Sequence, residues 1–268
     1  MTDDNYRNPA QLNSRIEFYQ KFGKKRKGWY QWISDQIDLS DGDVVLEIGC
    51  GSGTLWDQGT WNLMDGRVLL SDQQPEMVKS ARDSISKSHI QFEYLTADAL
   101  DLPFSDEQFE VVIANHVLHL VNDLDRAIKE IHRVLKPGGI LYTSTKSSKN
   151  FEMIDNILEY IGKDTQMNDI VQFELETADE TLSNYFDHVQ QEVYIEQIQV
   201  DDPDALMWFI ESKVSFSPEM REKVRTFLNS RINNPRKKDV GPITSPIEFQ
   251  KRMGLIRSIK QDSQGLSG

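Results

Sequence analysis

Glu47 stands two residues before the first glycine of a spaced set, Gly49-x-Gly51-x-Gly53, in the run Val44-Val45-Leu46-Glu47-Ile48-Gly49-Cys50-Gly51-Ser52-Gly53. Spaced glycines after an apolar run bring a ligand up against bare backbone, since no side chain stands in the way. A nucleoside triphosphate would need Lys-Ser or Lys-Thr after the glycines, and neither follows here. A dinucleotide pyrophosphate goes with Gly-x-Gly-x-x-Gly, one residue longer than the spacing in this chain. The charges are more telling than the spacing. Asp72 and Asp98 close the next two apolar runs. Where strands and helices alternate, those strand ends meet Glu47 in one crevice. Three carboxylates there repel a pyrophosphate and suit a nucleoside bearing positive charge.

A fourth apolar run leads into Asn115-His116-Val117-Leu118-His119. Imidazole acts as a general base near neutral pH, so His116 is the candidate proton acceptor. His119 either faces the substrate or packs the turn that follows. Trp29, Tyr30 and Trp32 crowd too closely to share one helical face, and Trp29 and Tyr30 are expected to border the crevice. Trp56, just past the glycine turn, is expected there as well; such rings offer a π face to a cation. Cys50 is the single cysteine; without an adjacent base it reads as a small turn residue, not a nucleophile. It also excludes an internal disulfide and any multi-cysteine metal site, and no metal cluster is expected. His132 falls opposite the apolar stripe of its helix and is expected at the surface.

The elements that must position these residues run from Asp43 to Thr145. Short apolar runs rich in branched residues predict buried parallel strands at Val44–Ile48, Arg67–Ser71, Gln91–Leu95, Phe109–Ala114 and Ile140–Thr145. Pro75 opens a helix carrying Met77, Val78, Ala81 and Ile85. A second helix spans Asp123–Leu135, with Leu124, Ala127, Ile128, Ile131 and Val134 in one stripe, and Lys136-Pro137-Gly138-Gly139 to stop it. Strand and helix in alternation make a doubly wound open sheet. The aromatic stretch Leu12–Ile37 precedes it as helix, with Phe18 and Phe22 expected in the core. Behind it, helices are expected at Phe151–Ile161, after a capping box at Thr177-Ala178-Asp179-Glu180, at Asp202–Ser212 and at Pro218–Ile232 with Ser217 as cap. Val189–Val200 and Leu255–Lys260 are read as strands, and Asn233–Pro246 as a polar loop. The expectation is a single domain over 1–268, with an N-terminal helical lid at 1–38, a ligand-binding core at 39–147, and the rest of the sheet with substrate-side helices at 148–268.

With 268 residues and a net charge of −13, the chain can bury a sizeable core but lacks the basic surface that nucleic acid requires. Lys24-Lys25-Arg26-Lys27 is a short cationic run and reads as a solvated surface. The start is acidic and polar, unlike a secretory signal, and no run reaches membrane-spanning length. The chain is therefore expected in the cytoplasm, acting on a small molecule, with no nucleic-acid or membrane partner.

The stretches VVLEIGCGSG, VLLSDQQPEMV, FEYLTADALDLPFSDEQFEVVIANHVLHLV and RVLKPGGILY, in this order, resemble the class I S-adenosylmethionine-dependent methyltransferases. The likeness covers roughly residues 40–145 and is greatest to the small-molecule, ubiquinone/menaquinone-biosynthesis-like group. It implies an α/β, mostly parallel Rossmann-like sheet with helices on both faces, an N-terminal helical lid and extra C-terminal elements. It also implies S-adenosyl-L-methionine as cofactor. Gly49, Gly51 and Gly53, with Cys50 between them, would admit its methionine part, and Glu47 would hold the loop and face the ammonium. Asp72 would take the ribose hydroxyls, while Asp98 and the Ala99 amide would read adenine. Asn115 would offer its carbonyl near the sulfonium. The residue after Asp72 is usually apolar in this family and here is Gln73, which shifts adenine packing to Met77 or Leu100. The implied activity is methyl transfer. A non-catalytic cofactor-binding regulator and an NAD(P)-dependent oxidoreductase are the alternatives at this point, and a protein- or RNA-modifying enzyme is disfavoured by the acid balance.

Overall fold

The computed structural model describes residues 9–25, 27–85, 90–162, 172–214, 216–232 and 246–261. Most of the polar stretch Asn233–Pro246 lies outside them. Seven strands, β1 (Val44–Ile48), β2 (Arg67–Asp72), β3 (Gln91–Thr96), β4 (Phe109–Asn115), β5 (Leu135–Lys146), β6 (His188–Val200) and β7 (Ile247–Ile259), form one sheet. Its order is β3-β2-β1-β4-β5-β7-β6. β7 runs antiparallel to both its neighbours, and the other pairings are parallel. The order reverses between β1 and β4, which opens a crevice at the carboxyl ends of those strands.

Alternate residues of the central strands feed two cores. Leu46, Val112, Ala114 and Leu141 pack on one face, against Ala127, Ile128, Ile131 and Val134 of α5 (Leu124–Val134). Val45, Val111, Ile113 and Tyr142 pack on the other. There they meet α2 (Trp29–Ser34), α3 (Thr54–Gln58) and α4 (Pro75–Ser84). Strands covered on both sides need apolar residues at every position, which is why they read as unbroken runs. A third cluster joins α1 (Pro9–Phe22), α6 (Glu152–Tyr160), α8 (Pro203–Glu211) and α9 (Pro218–Ile232) to the far ends of β6 and β7. Phe18 and Phe22 lie in it, as expected.

Several local expectations need correction. Lys136-Pro137-Gly138-Gly139 does not separate helix from strand. Leu135 already turns extended and pairs with Phe109, so β5 begins where α5 ends, and an irregular register absorbs the glycines. Thr177 precedes α7 (Ala178–Leu182) but makes no side-chain cap. Its ψ of −3° departs from the extended backbone an N-cap needs. β7 starts eight residues before the predicted Leu255. His132 is half-buried, with its ring on Phe186.

Candidate active site

The crevice over β1 and β4 is a cleft of about 570 Å³. The end of β1 contributes Glu47 to its wall, and the turn that follows contributes Gly49, Cys50 and Gly51. Gly49 has φ +66°, and a β-carbon there would lie 2.4 Å from Val117 Cγ2, so only glycine fits. The end of β2 adds Asp72 and Gln73, with Met77 from α4; the bend after β3 adds Asp98, Ala99 and Leu100. Asn115, His116 and His119 line it beyond β4, and Trp29 and Tyr30 close it from α2.

Two predicted residues lie elsewhere. Gly53 turns its α-carbon toward α4, where a β-carbon would meet Ala81 Cα at 3.0 Å and Ile85 Cδ1 at 2.9 Å, so it serves packing instead of the cleft. Trp56 is fully buried behind the turn, stacked on Trp61, and does not face the cleft. Its indole Nε1 donates instead to Glu47 Oε2 at 2.7 Å.

Glu47 is 1% exposed. Desolvation, with a further push from the Asp72 charge, drives its pKa up to about 8, against the Trp56 hydrogen bond. Asp72 accepts from the Gly51 amide at Oδ2 (3.0 Å) and from the Gln74 amide at Oδ1 (2.9 Å), which ties the glycine turn to the end of β2. Burial nonetheless holds its pKa above the ordinary carboxylate value. Asp98 accepts from the Leu100 amide, fixing the bend that presents Ala99. Burial first, then Glu47 and Asp72, push the Cys50 thiol far up, so it stays protonated. Burial, and then Glu47, raise Tyr30 as well.

Asn115 Oδ1 accepts from Trp29 Nε1 (3.3 Å) and Ser144 Oγ (2.7 Å), clamping α2 over the strand ends. His116 follows in the left-handed region, at φ +59°. Its amide is held there by Ser144 O and Oγ at 3.2 and 3.0 Å. A non-glycine residue in that region is strained, and such strain gathers at functional sites. The ring lies 5.3 Å from Trp29. Desolvation, then the Lys251 and Lys146 ammonium groups, lower its pKa to about 3. His119 is likewise lowered, by burial and then by Lys146. Among the described residues no group of three or more His, Cys, Asp or Glu is placed to hold a metal ion.

Sequence reasoning missed the opposite wall of the cleft, which carries Arg15, Lys25, Lys146, Glu196, Lys213 and Lys251. Lys25 belongs to the cationic run read as solvated surface; it is exposed, and its ammonium lies 4.0 Å over the Tyr194 ring. Lys251 was invisible because the strand that carries it begins earlier than its apolar pattern.

A model described as a methyltransferase domain matches residues 46–143, the stretch that carries the turn, the three strand-end carboxylates and Asn115. YrhH of Bacillus subtilis, a protein named as a methyltransferase, is 30% identical over 136 residues, half of this chain and 76% of its own length. The chain belongs to the class I S-adenosylmethionine-dependent methyltransferases. The ubiquinone/menaquinone biosynthesis C-methyltransferase UbiE of Vibrio vulnificus is 31% identical over 134 residues, 49% of this chain and 52% of that one. The chain thus spans about half the length of the UbiE relatives it matches. A solved structure from Bacillus halodurans shares the fold, with a TM-score of 0.58 at 17% identity, over 87% of this chain and 99% of that chain. The cofactor of that family is S-adenosyl-L-methionine, and membership in it sets the oxidoreductase alternative aside.

The cleft suits that cofactor. A bare backbone cradle at Gly49 and a desolvated carboxyl at Glu47 fit a ligand with a cationic end, and the amide-anchored Asp72 keeps lone pairs for hydroxyl donors. Among the described residues, no helix is long and apolar enough to cross a membrane.

Proposed function

We propose that the methyltransferase acts on a small molecule bound between the acidic strand ends and the opposite wall of the cleft. The observation that carries this reading is the bounded size of the cleft and the N-terminal helices that line it. Trp29 and Tyr30 of α2, tied to the strand ends through Asn115, and the α1 residues Arg15, Ile16 and Tyr19 line the cleft, whose volume is about 570 Å³ for cofactor and acceptor together. That volume falls within the range of small-ligand sites.

When bound, S-adenosylmethionine supplies a methyl group on positively charged sulfur to an acceptor's lone pair, leaving S-adenosylhomocysteine. The chain's own residues would position it. Gly49 and Gly51 would admit the methionine end, Glu47 would face its ammonium, and Asp72 would accept from the ribose hydroxyls. Asp98 and Ala99, with Met77 and Gln73 alongside, would hold the adenine, and the Asn115 carbonyl would lie near the reacting methyl. Trp29, Tyr30 and His119 would shape the acceptor's end and exclude water, so that alignment contributes most of the acceleration. His116 is the proposed proton acceptor. Its imidazole is neutral at physiological pH and so able to take a proton, though burial first and then the neighbouring lysine charges make it a weak base. Residues 1–38 are the proposed lid, 39–147 the cofactor core, and 148–268 the acceptor side of one domain.

Ligand-induced melting shifts test the cofactor end. At one hundred times its dissociation constant a ligand adds about 2.7 kcal/mol of stability. S-adenosylhomocysteine should raise Tm by several degrees and NADH should not. Asp72→Asn, which keeps one acceptor oxygen for the turn, should reduce that shift to near zero. A full shift in Asp72→Asn would remove the ribose role, and none in the wild type would remove the cofactor assignment. His116→Ala should keep the shift and lower turnover.

A further inference from the structure

Charge in the cleft is sorted by the order of the sheet. Glu47, Asp72 and Asp98 sit at the ends of β1 and β2 and just beyond β3, on one half. The other half is β5-β7-β6. Lys146 is the last residue of β5 and pairs with Met253, so Lys251 lies two residues further along β7 at the same end. Arg15 from α1, the exposed Lys25 beyond it, and Lys213 just past α8 line the same cleft, Lys25 acting on Glu196 and Lys213 on His119.

Among the described residues that line the cleft with those five cations, the carboxylate on this side is Glu196, the register partner of Lys251 across β6 and β7, and Glu174 acts on Lys146 from outside the lining. The chain as a whole is acidic, with 43 Asp and Glu to 30 Lys and Arg, so the excess runs against composition. Lys251 Nζ lies 3.8 Å from the centre of the Tyr19 ring, and Lys25 Nζ lies 4.0 Å from that of Tyr194. Aromatic faces seat ammonium groups without neutralising them. Desolvation holds the Lys251 pKa down at about 8 even with Glu196 beside it, so this ammonium gains from an anionic neighbour. His116 stands between the acidic and basic halves, and both Lys251 and Lys146 act on it.

We propose that the methyl acceptor is an anion, carrying a carboxylate or phosphoryl group that Lys251 and Lys146 bind while its nucleophilic atom lies at His116. The proposal rests on the small-acceptor reading above. It gives the two ends of the cleft opposite tasks: the acidic half takes the cationic cofactor, and the basic half orients the acceptor by its charge. A bound anion also offsets the lysine charges on His116, so the acceptor restores part of the basicity of the base that would deprotonate it.

The test is titration of the S-adenosylhomocysteine-loaded chain with sodium phosphate and, separately, sodium acetate, at ionic strength held constant with sodium chloride. Tryptophan fluorescence reads occupancy, since Trp29 borders the site. A saturable change with phosphate marks a phosphoryl site, and one with acetate marks a carboxylate site. Either should weaken at least about tenfold in Lys251→Gln, the loss of one charged hydrogen bond. Lys146→Gln carries the same test should Lys251→Gln fail to fold, and Lys79→Gln on α4 should behave as wild type. No saturable response to either anion overturns the proposal, as does an unchanged response in the variants. It also falls if Lys251→Gln weakens S-adenosylhomocysteine itself tenfold, for the wall then serves the cofactor's own carboxylate. Failure of S-adenosylhomocysteine to bind the wild type strikes the cofactor assignment instead, and anion titration of the bare chain still reads the wall.

Discussion

Glu47 lines the cleft yet is almost wholly withdrawn from solvent, the Trp56 indole satisfies one of its oxygens, and its pKa of about 8 follows from that burial. Because the folded value lies above the ordinary 4.5, the folded chain holds more protons than the unfolded one between pH 4.5 and 8. The stability this group contributes is full below pH 4.5 and is lost as pH rises through 8. Glu47→Gln keeps an acceptor for Trp56 and removes the titration. It should flatten Tm against pH between 5 and 9 and melt above the wild type at pH 8.5, and an unchanged slope would assign the titration elsewhere. A cationic ligand favours the carboxylate, so S-adenosylmethionine binding should tighten as pH rises toward 8. It should also release protons, measurable by calorimetry in two buffers of different ionisation enthalpy, and the variant should show neither effect. Glu47, Asp72 and Asp98 were legible from sequence because strand ends fix their place regardless of detail. Trp56 was not, since its direction depends on a five-residue helix folding back onto Trp61, a contact that no spacing encodes.

The bend that presents Asp98 and Ala99 is held from outside the cleft by α5. Arg133 donates to Phe104 O (2.7 Å), Asp106 Oδ1 (2.9 Å), Leu102 O (2.9 Å) and Glu130 Oε2 (2.8 Å). Glu130 in turn accepts from the Leu102 amide. A guanidinium reaches both carbonyls and both carboxylates at once because its donors form a planar fork, which an ammonium cannot reproduce. Arg133→Lys should therefore cost about 1–3 kcal/mol in urea unfolding, although it conserves charge. It should also speed amide exchange at residues 99–104, and full protection there would show that the bend holds itself. The apolar stripe of α5 was plain in its periodicity, and so was the helix. Its polar face gave no sign that one arginine ties a neighbouring loop, because each of the groups it binds is common on a surface.

Acidic and basic halves facing one cleft require that distant parts of the chain be fixed against one another, and the N-terminal helices do much of that fixing. Trp29 donates to Asn115, Trp32 meets Tyr194 at 5.4 Å, and Tyr194 OH donates to Lys27 O. Tyr142 OH accepts from the Asp38 amide. The five-strand core was readable in the sequence because buried parallel strands are apolar throughout. β6 and β7 were harder, since an edge strand and its neighbour alternate and carry lysine and glutamate toward the cleft. Reading 1–38 as a lid suggests a removable cover, whereas the packing argues for a structural part of one domain. Trp29, Ile33 and Ile37 are all buried. At about 1.5–3 kcal/mol for each large apolar side chain, their loss costs about 5–9 kcal/mol, within the range of a whole domain's stability. A chain beginning at residue 39 should therefore lose its cooperative melt and near-ultraviolet circular dichroism while keeping far-ultraviolet signal from the sheet. If it instead melts sharply and still binds S-adenosylhomocysteine, the N-terminal helices are a separable cover, and the single-domain proposal fails.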